Sequence, residues 1–243
     1  MTAPEQIRRR RHFQDELDAL QDKLLEMAGI VEELVRVAVE ALERRDPRSA
    51  EWAKSEDDRI DRLEVEIDDR AMDLLALQQP MARDLRQVVA TLKAANDLER
   101  VGDHAVNIAK AVKRLAEAPA FPAIPEVPEM AGIARGMLAD ALASFVARNP
   151  SSARLVCLRD EKVDNLRRSL FRILLTHMME EPRRITPALE LLLISQNLER
   201  IADLSTNIAE DVVFMVEGQT IKHLPDTHSP EDDEGPSRGP TKL

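Results

Sequence analysis

Two pentapeptides, Glu99-Arg100-Val101-Gly102-Asp103 and Glu199-Arg200-Ile201-Ala202-Asp203, repeat one acid-xxx-acid unit a hundred residues apart in the chain. On a helix, residues four apart share a face, so each unit presents two carboxylates able to converge on one ion. Two further units of the same spacing, Asp57 with Asp61 and Asp160 with Asp164, are related by a shift of 103. Around each glutamate the small and apolar residues recur in alternating steps of three and four. The first series is Leu85, Val88, Leu92, Ala95, then Gly102, Val106 and Ala109 beyond Glu99; the second is Ile185, Ala188, Leu192, Ser195, then Ala202, Thr206 and Ala209 beyond Glu199. Each glutamate stands where the stripe asks for Leu. A carboxylate facing a helix seam costs several kcal/mol, as a rough estimate, unless a cation or metal compensates it.

Two kinds of compensation fit. Oxygen-only donor sets suit hard cations such as Mg²⁺, Mn²⁺, Ca²⁺ or Fe³⁺, and the single cysteine and scattered histidines argue against a structural zinc. Asn96 and Asn107 flank Glu99 on a helical wheel, and Gln196 and Asn207 repeat that arrangement around Glu199. His104 adjoins Asp103, but its counterpart in the second copy is Leu204. The alternative is neutralisation by Arg100, Arg200, Arg59 or Lys162 in ion pairs, which are common on helices.

The elements that must position these acids are helices. Phe13, Leu17, Leu20, Leu24, Met27, Val31, Leu34, Ala38 and Ala41 predict one helix of about 30 residues, roughly 45 Å long. It ends before Asp46-Pro47. A second is predicted from Pro47 to about Gln79, where Pro80 interrupts, and a third over about 83–117. Pro119, Pro122, Pro125 and Pro128 then predict an extended linker over 119–128. After it Ala141-Leu142-Ala143 leading to Asn149-Pro150 mirrors Ala38-Val39-Glu40 leading to Asp46-Pro47. The chain is therefore an internal duplication: one repeat over 8–118, a second over 129–218, each of three helices. The expected fold is all-α, two tandem three-helix bundles of six long antiparallel helices. Residues 219–243, with four prolines and Glu231-Asp232-Asp233-Glu234, read as a disordered acidic tail.

Composition narrows the function classes. Of 243 residues 44% are apolar but only 2% aromatic, and 45 acids against 34 bases leave −11, a poor match for nucleic acid. Asp15, Glu16 and Asp18 interrupt any export signal after Arg8 to Arg11, and the stretch Leu189 to Ile194 is far short of the roughly 20 residues a membrane span requires. With a lone Cys157, a cytoplasmic setting is expected.

With both duplicated motifs in hand, the chain resembles the PhoU family of bacterial phosphate-transport accessory and regulatory proteins. The resemblance rests on His12-Phe13 with Glu16-Leu17, on Asp57 to Leu63 and Asp160 to Leu166, and on Asn96 to Asp103 and Asn197 to Asp203, each of these last followed by Asn-Ile-Ala. It spans residues 8–218 and implies two three-helix bundles, a cytoplasmic and often homodimeric protein, and multinuclear metal clusters of divalent or trivalent ions (Fe, Mn, Mg or Zn). The implied ligands are Asp57, Asp61, Glu99 and Asp103 in one repeat and Asp160, Asp164, Glu199 and Asp203 in the other. Glu64 corresponds to Arg167, so the two sites need not be equal in nuclearity or affinity.

The resemblance also implies a negative regulator of the phosphate-starvation response. It would link the ATPase subunit of the phosphate ABC transporter to a sensor histidine kinase, and meet the membrane only through these partners. Two other classes compete with it. A carboxylate-bridged metal enzyme of the ferritin-like kind needs Glu-x-x-His, which the sequence lacks, and no phosphate loop or nucleophile elbow is present, so no enzyme is expected. A plain helical scaffold with solvated acids predicts no metal uptake.

Overall fold

The computed structural model describes residues 3–78 and 80–221, and among them the fold is all-α. The first repeat comprises α1 (Ala3–Arg44), α2 (Ser49–Gln78) and α3 (Arg83–Glu117). The second comprises α4 (Glu126–Ala147), α5 (Pro150–Cys157), α6 (Asp160–Glu180) and α7 (Ile185–Glu217), with a 3-10 turn at Pro182–Arg184 before α7. The three helices of the first repeat touch one another pairwise. In the second, α5 and α6 together take the place of one helix against α4 and α7. The 4-3 stripe of α1 is its buried face, from Leu17, Leu20 and Leu24 to Leu34, Ala38 and Ala41.

The duplication extends to the turns. Arg45 and Arg148, related by the 103 shift, both take left-handed backbone conformations, φ 53° and 50°. Asp46 Oδ1 accepts from the Arg48 amide at 3.0 Å, and Asn149 Oδ1 accepts from the Ser151 and Ser152 amides at 3.0 and 3.2 Å. Both side chains thus satisfy orphan donors at a helix start beside a proline, as a short polar capping residue does. At the far end Gly218 (φ 74°) terminates α7 with its amide on Phe214 O, and glycine adopts this conformation without a Cβ clash.

Four expectations need correction. First, α1 is 42 residues long rather than about 30, because Pro4 falls in its first turn, where a missing amide breaks no intrahelical bond, and no glycine or further proline precedes Phe13. Second, α2 begins at Ser49, two residues after the predicted Pro47. Third, the linker ends earlier than predicted, since α4 starts at Glu126 and Pro128 sits in its first turn, where a missing amide breaks no intrahelical bond. Fourth, the helix expected to be continuous in the second repeat breaks at Leu158-Arg159, where Arg159 Nη2 turns back to Asp140 Oδ2 (2.7 Å) and Gly136 O (3.3 Å) on α4. The predicted tail from residue 222 onward lies outside the described residues.

By length and composition α4, not Leu189 to Ile194, is the most membrane-like segment, yet half of its apolar window is buried inside the fold. Met130, Ala134, Met137, Leu138 and Ala141 belong to the core, as expected of a helix packed against α1, α5, α6 and α7.

Helices α3 and α7 form the seam between repeats, and they run antiparallel. Lys93 Nζ meets Asp211 Oδ1 at 3.1 Å, His104 Nδ1 meets Asn197 Oδ1 at 2.9 Å, and Arg114 Nε meets Glu190 Oε1 at 2.8 Å. Asp211 is 1% exposed, and its Oδ2, like Glu190 Oε2, is buried without a protein partner. Removing the cation from such a pair strands a charge in a medium that solvates it poorly. Lys93→Leu should therefore destabilise the protein by about 2–3 kcal/mol, below the ~3–5 kcal/mol of a fully buried pair because Lys93 is half exposed. Adding Asp211→Ala, which copies the apolar residues Leu193 and Ala111 at the duplicated positions, should recover most of that loss in urea-unfolding midpoints.

Candidate metal centre

The first acidic set lines the groove between α2 and α3. Gly102 lets the helices close: a Cβ there would lie 3.0 Å from Ile60 Cδ1 and 3.6 Å from Asp57 Oδ1. Asp57 thus sits over Gly102, between Glu99 one turn before and Asp103 one residue after. Asp57 and Glu99 are half-buried, whereas Asp61 and Asp103 are exposed. Glu64, one turn beyond Asp61, joins them and accepts a hydrogen bond from Asn96 Nδ2 at 3.3 Å.

Five carboxylates thus face one groove. Glu99 is pushed up to about 7 by burial first, and then by repulsion from Asp103, Glu64, Asp61 and Asp57. Asp57 is raised for the same reasons, burial before Asp103 and Asp61, with Lys110 acting the other way. Burial penalises the charged form and like charges add to the penalty, so this groove is short of positive charge.

The second set lines the groove of α7 with the α5–α6 segment. Asp160, the first residue of α6, is pushed up to about 6 by burial and by Asp203, Asp164, Glu199 and Glu210. Glu199 and Asp203 are also raised, chiefly by burial. Here arginines intervene. Arg200 Nη1 lies 3.1 Å from Asp203 Oδ2, Arg200 Nε is 3.6 Å from Glu199 Oε2, and Arg167 Nε is 3.7 Å from Glu199 Oε1.

The structure therefore divides the ion-pair alternative by repeat. In the first, Arg100 turns to Asp97 and Arg59 to Glu56, so neither neutralises the groove. In the second, Lys162 goes to Glu129 while Arg200 does engage the set, joined by Arg167, which stands where the first repeat has Glu64. Among the described residues no three Asp, Glu, His or Cys side chains already close around a single point. All eight predicted positions nonetheless lie on these two helix-helix grooves, four in each. Their all-oxygen donors, half-buried except for the exposed Asp61 and Asp103, fit a hard cation.

His104 is not one of these donors. Asn197 Nδ2 donates to Leu193 O at 2.7 Å, which leaves Asn197 Oδ1 as acceptor and assigns the proton to His104 Nδ1, so the histidine is a tie across the seam. The glutamates also sit at the flank of their apolar stripes rather than in the seam. Their placement makes partial exposure compatible with a strong shift. Glu64 and Glu210 were missed as members because neither belongs to an acid-xxx-acid pair that both repeats share. Glu64 could have been found from its place one turn after Asp61.

Comparison with known proteins agrees with this duplicated arrangement. The PhoU domain family matches residues 24–112 and again 127–212. A phosphate-specific transport system accessory protein PhoU homolog from Clostridium acetobutylicum is 37% identical over 213 residues, covering 87% of this chain and 97% of that protein. One from Caulobacter vibrioides is 40% identical over 210 residues, covering 86% and 91%. The crystal structure of PhoU from Pseudomonas aeruginosa superposes with a TM-score of 0.83 at 36% identity, covering 85% of this chain and all of that one. The phosphate transport system regulatory protein PhoU from Streptococcus pneumoniae superposes at 0.79 with 32% identity, covering 86% and 99%.

The raised carboxyls set a pH signature for protein stripped of cations. A free glutamate titrates near 4.5, while Glu99 in the fold titrates at about 7, so the folded state holds its proton more tightly than the unfolded chain does. That contribution is full below the unfolded value and gone above the folded one. The thermal midpoint should therefore fall as pH rises through this window, and Glu99→Gln should remove about half of the fall between roughly pH 6 and 7.5. A midpoint that rises over this interval would contradict the geometry.

Proposed function

The chain belongs to the PhoU family, and on that premise we propose that it is the accessory protein of a phosphate-specific transport system and a negative regulator of the phosphate-starvation response. In this role it links the ATPase subunit of the transporter to a sensor histidine kinase, works in the cytoplasm as a homodimer, and approaches the membrane only through its partners. The observation that carries the reading is that the two family-matched segments, 24–112 and 127–212, each hold a full set of four carboxylates in register.

Those carboxylates are the proposed metal ligands: Asp57, Asp61, Glu99 and Asp103 in one groove, and Asp160, Asp164, Glu199 and Asp203 in the other. A bound divalent or trivalent ion, Fe, Mn, Mg or Zn, supplies positive charge and a Lewis-acidic position for an anionic oxygen. The protein's own part is to hold the acids on rigid helices, with Gly102 admitting Asp57 to the groove and Arg200 restraining Asp203. The net charge of −11 keeps the chain away from nucleic acid and leaves cationic partner surfaces as the natural complement.

A scaffold reading is favoured by one observation, the Arg167 and Arg200 pairs in the second repeat. Glu99→Gln combined with Asp103→Asn distinguishes the two. Elemental analysis of the purified variant should show bound metal reduced by about half, and capture of the transporter ATPase from the same cell should fall about tenfold or more. Unchanged metal content with unchanged capture would leave the scaffold.

A further inference from the structure

The two grooves differ by four exchanges at duplicated positions, and all four act in one direction. Next to Glu99 the first repeat has Glu64, where the second has Arg167 with its Nε 3.7 Å from Glu199. At the opposite end the first repeat has Lys54 and Lys110, where the second has Cys157 and Glu210. Between Asp203 and Glu210, Thr206 replaces Val106.

Asp203, Thr206 and Glu210 are spaced three and four apart on α7 and so share a face, with Asp203 and Glu210 about 10 Å apart along the axis. The Thr206 Oγ1 is buried and has no protein partner. Glu210 stands one helical turn beyond Thr206 on that face of α7, as Lys110 stands one turn beyond Val106 on α3. Thus the first repeat gathers oxygen donors at its Glu64 end and excludes cations at its Lys110 end, and the second reverses both.

Resting on the metal-holding function proposed above, we propose that the second repeat binds its cations displaced toward the α5–α6 break, with Glu210 and the Thr206 hydroxyl as donors where the first repeat uses Glu64. Arg167 closes the end that the first repeat leaves open. The two centres are therefore different in kind and respond to different substitutions. Asp160, among the ligands proposed for the second, is the first residue of α6 after the break, where Arg159 ties α6 to α4.

The test uses the full chain, with Mn²⁺ as probe and equilibrium dialysis with elemental analysis as readout. In a Glu99→Gln, Asp103→Asn background that silences the first groove, Glu210→Gln should weaken Mn²⁺ binding about tenfold or more. Thr206→Val, which restores the first repeat's residue at similar volume, should weaken it severalfold and keeps the test intact if the glutamate variant unfolds. In the opposite background, Asp160→Asn with Asp203→Asn, Glu64→Gln should weaken binding about tenfold while Lys110→Gln leaves it unchanged or tighter. Unaltered binding in both Glu210→Gln and Thr206→Val, with the parent protein taking up Mn²⁺, overturns the displacement alone. A parent protein that takes up no Mn²⁺, Fe, Mg²⁺ or Zn²⁺ overturns the metal-holding function itself.

Discussion

The fold depends on burying α3 and α7 on three sides each. Helix α3 packs against α1, α2 and α7, and α7 packs against α3, α4 and the α5–α6 segment, so each touches both its own repeat and the other. Such a helix keeps only a narrow strip for polar residues. In α3 that strip is Lys93, Asn96, Arg100, Asp103, Asn107 and Lys110, stepping three and four, and between them all but Asp97, Glu99 and His104 are small or apolar. Alanines fill much of the remainder, from Ala90, Ala94 and Ala95 to Ala105, Ala109 and Ala111, which lets neighbouring backbones approach. Carboxylates placed at the edge of so narrow a strip are drawn into the adjoining groove and lose part of their hydration without losing contact with solvent.

That partial desolvation is what makes the acids useful and costly together. Fully exposed, Glu99 would be an ordinary surface residue; fully buried, it would demand a permanent partner. At its intermediate depth it stays chargeable but is held at about 7, because four other carboxylates share the groove and neither Arg59 nor Arg100 reaches it. The second groove is built with the same depth and a different balance. Arg200 and Arg167 remove part of the repulsion on Glu199 and Asp203, yet Asp160 still reaches about 6. Two copies of one motif thus differ through neighbours, not through the motif.

Helix type, the duplication and the two acidic pairs in each repeat were legible because each is a matter of spacing, and spacing survives without coordinates. The break at Leu158-Arg159 was not, since α5 and α6 carry no proline or glycine there and the bond from Arg159 to Asp140 is a tertiary contact. Pro128 misled because evenly spaced prolines read as extended chain, while a first turn tolerates proline. The length and apolar character of α4 were masked by the two glutamates at its start. Asp211 and Glu190 follow no spacing that marks them in the sequence, and only the seam reveals Asp211 buried against Lys93 and Glu190 half-buried against Arg114.

The seam also explains why the two repeats must meet each other rather than a copy of themselves. The positions that duplicate Lys93 and Asp211 are Leu193 and Ala111; those that duplicate Arg114 and Glu190 are Phe214 and Ala90. Every charged residue of the seam therefore has an apolar or small counterpart in the other repeat. Pairing two first repeats in this geometry would set Lys93 against Ala111 and Arg114 against Ala90, cations with no acid. Pairing two second repeats would bury Asp211 against Leu193 and Glu190 against Phe214, which is worse, because an unpaired buried carboxylate has no long stem with which to reach water. Only the mixed pairing satisfies both ends, with Lys93 additionally 5.1 Å from the Phe214 ring centroid. Specificity here comes as much from the penalty on wrong pairings as from the two bonds in the right one. Once the seam fixes which repeat lies against which, each groove can drift in charge, as Glu64 and Arg167 or Lys110 and Glu210 have done, without losing its place in the fold.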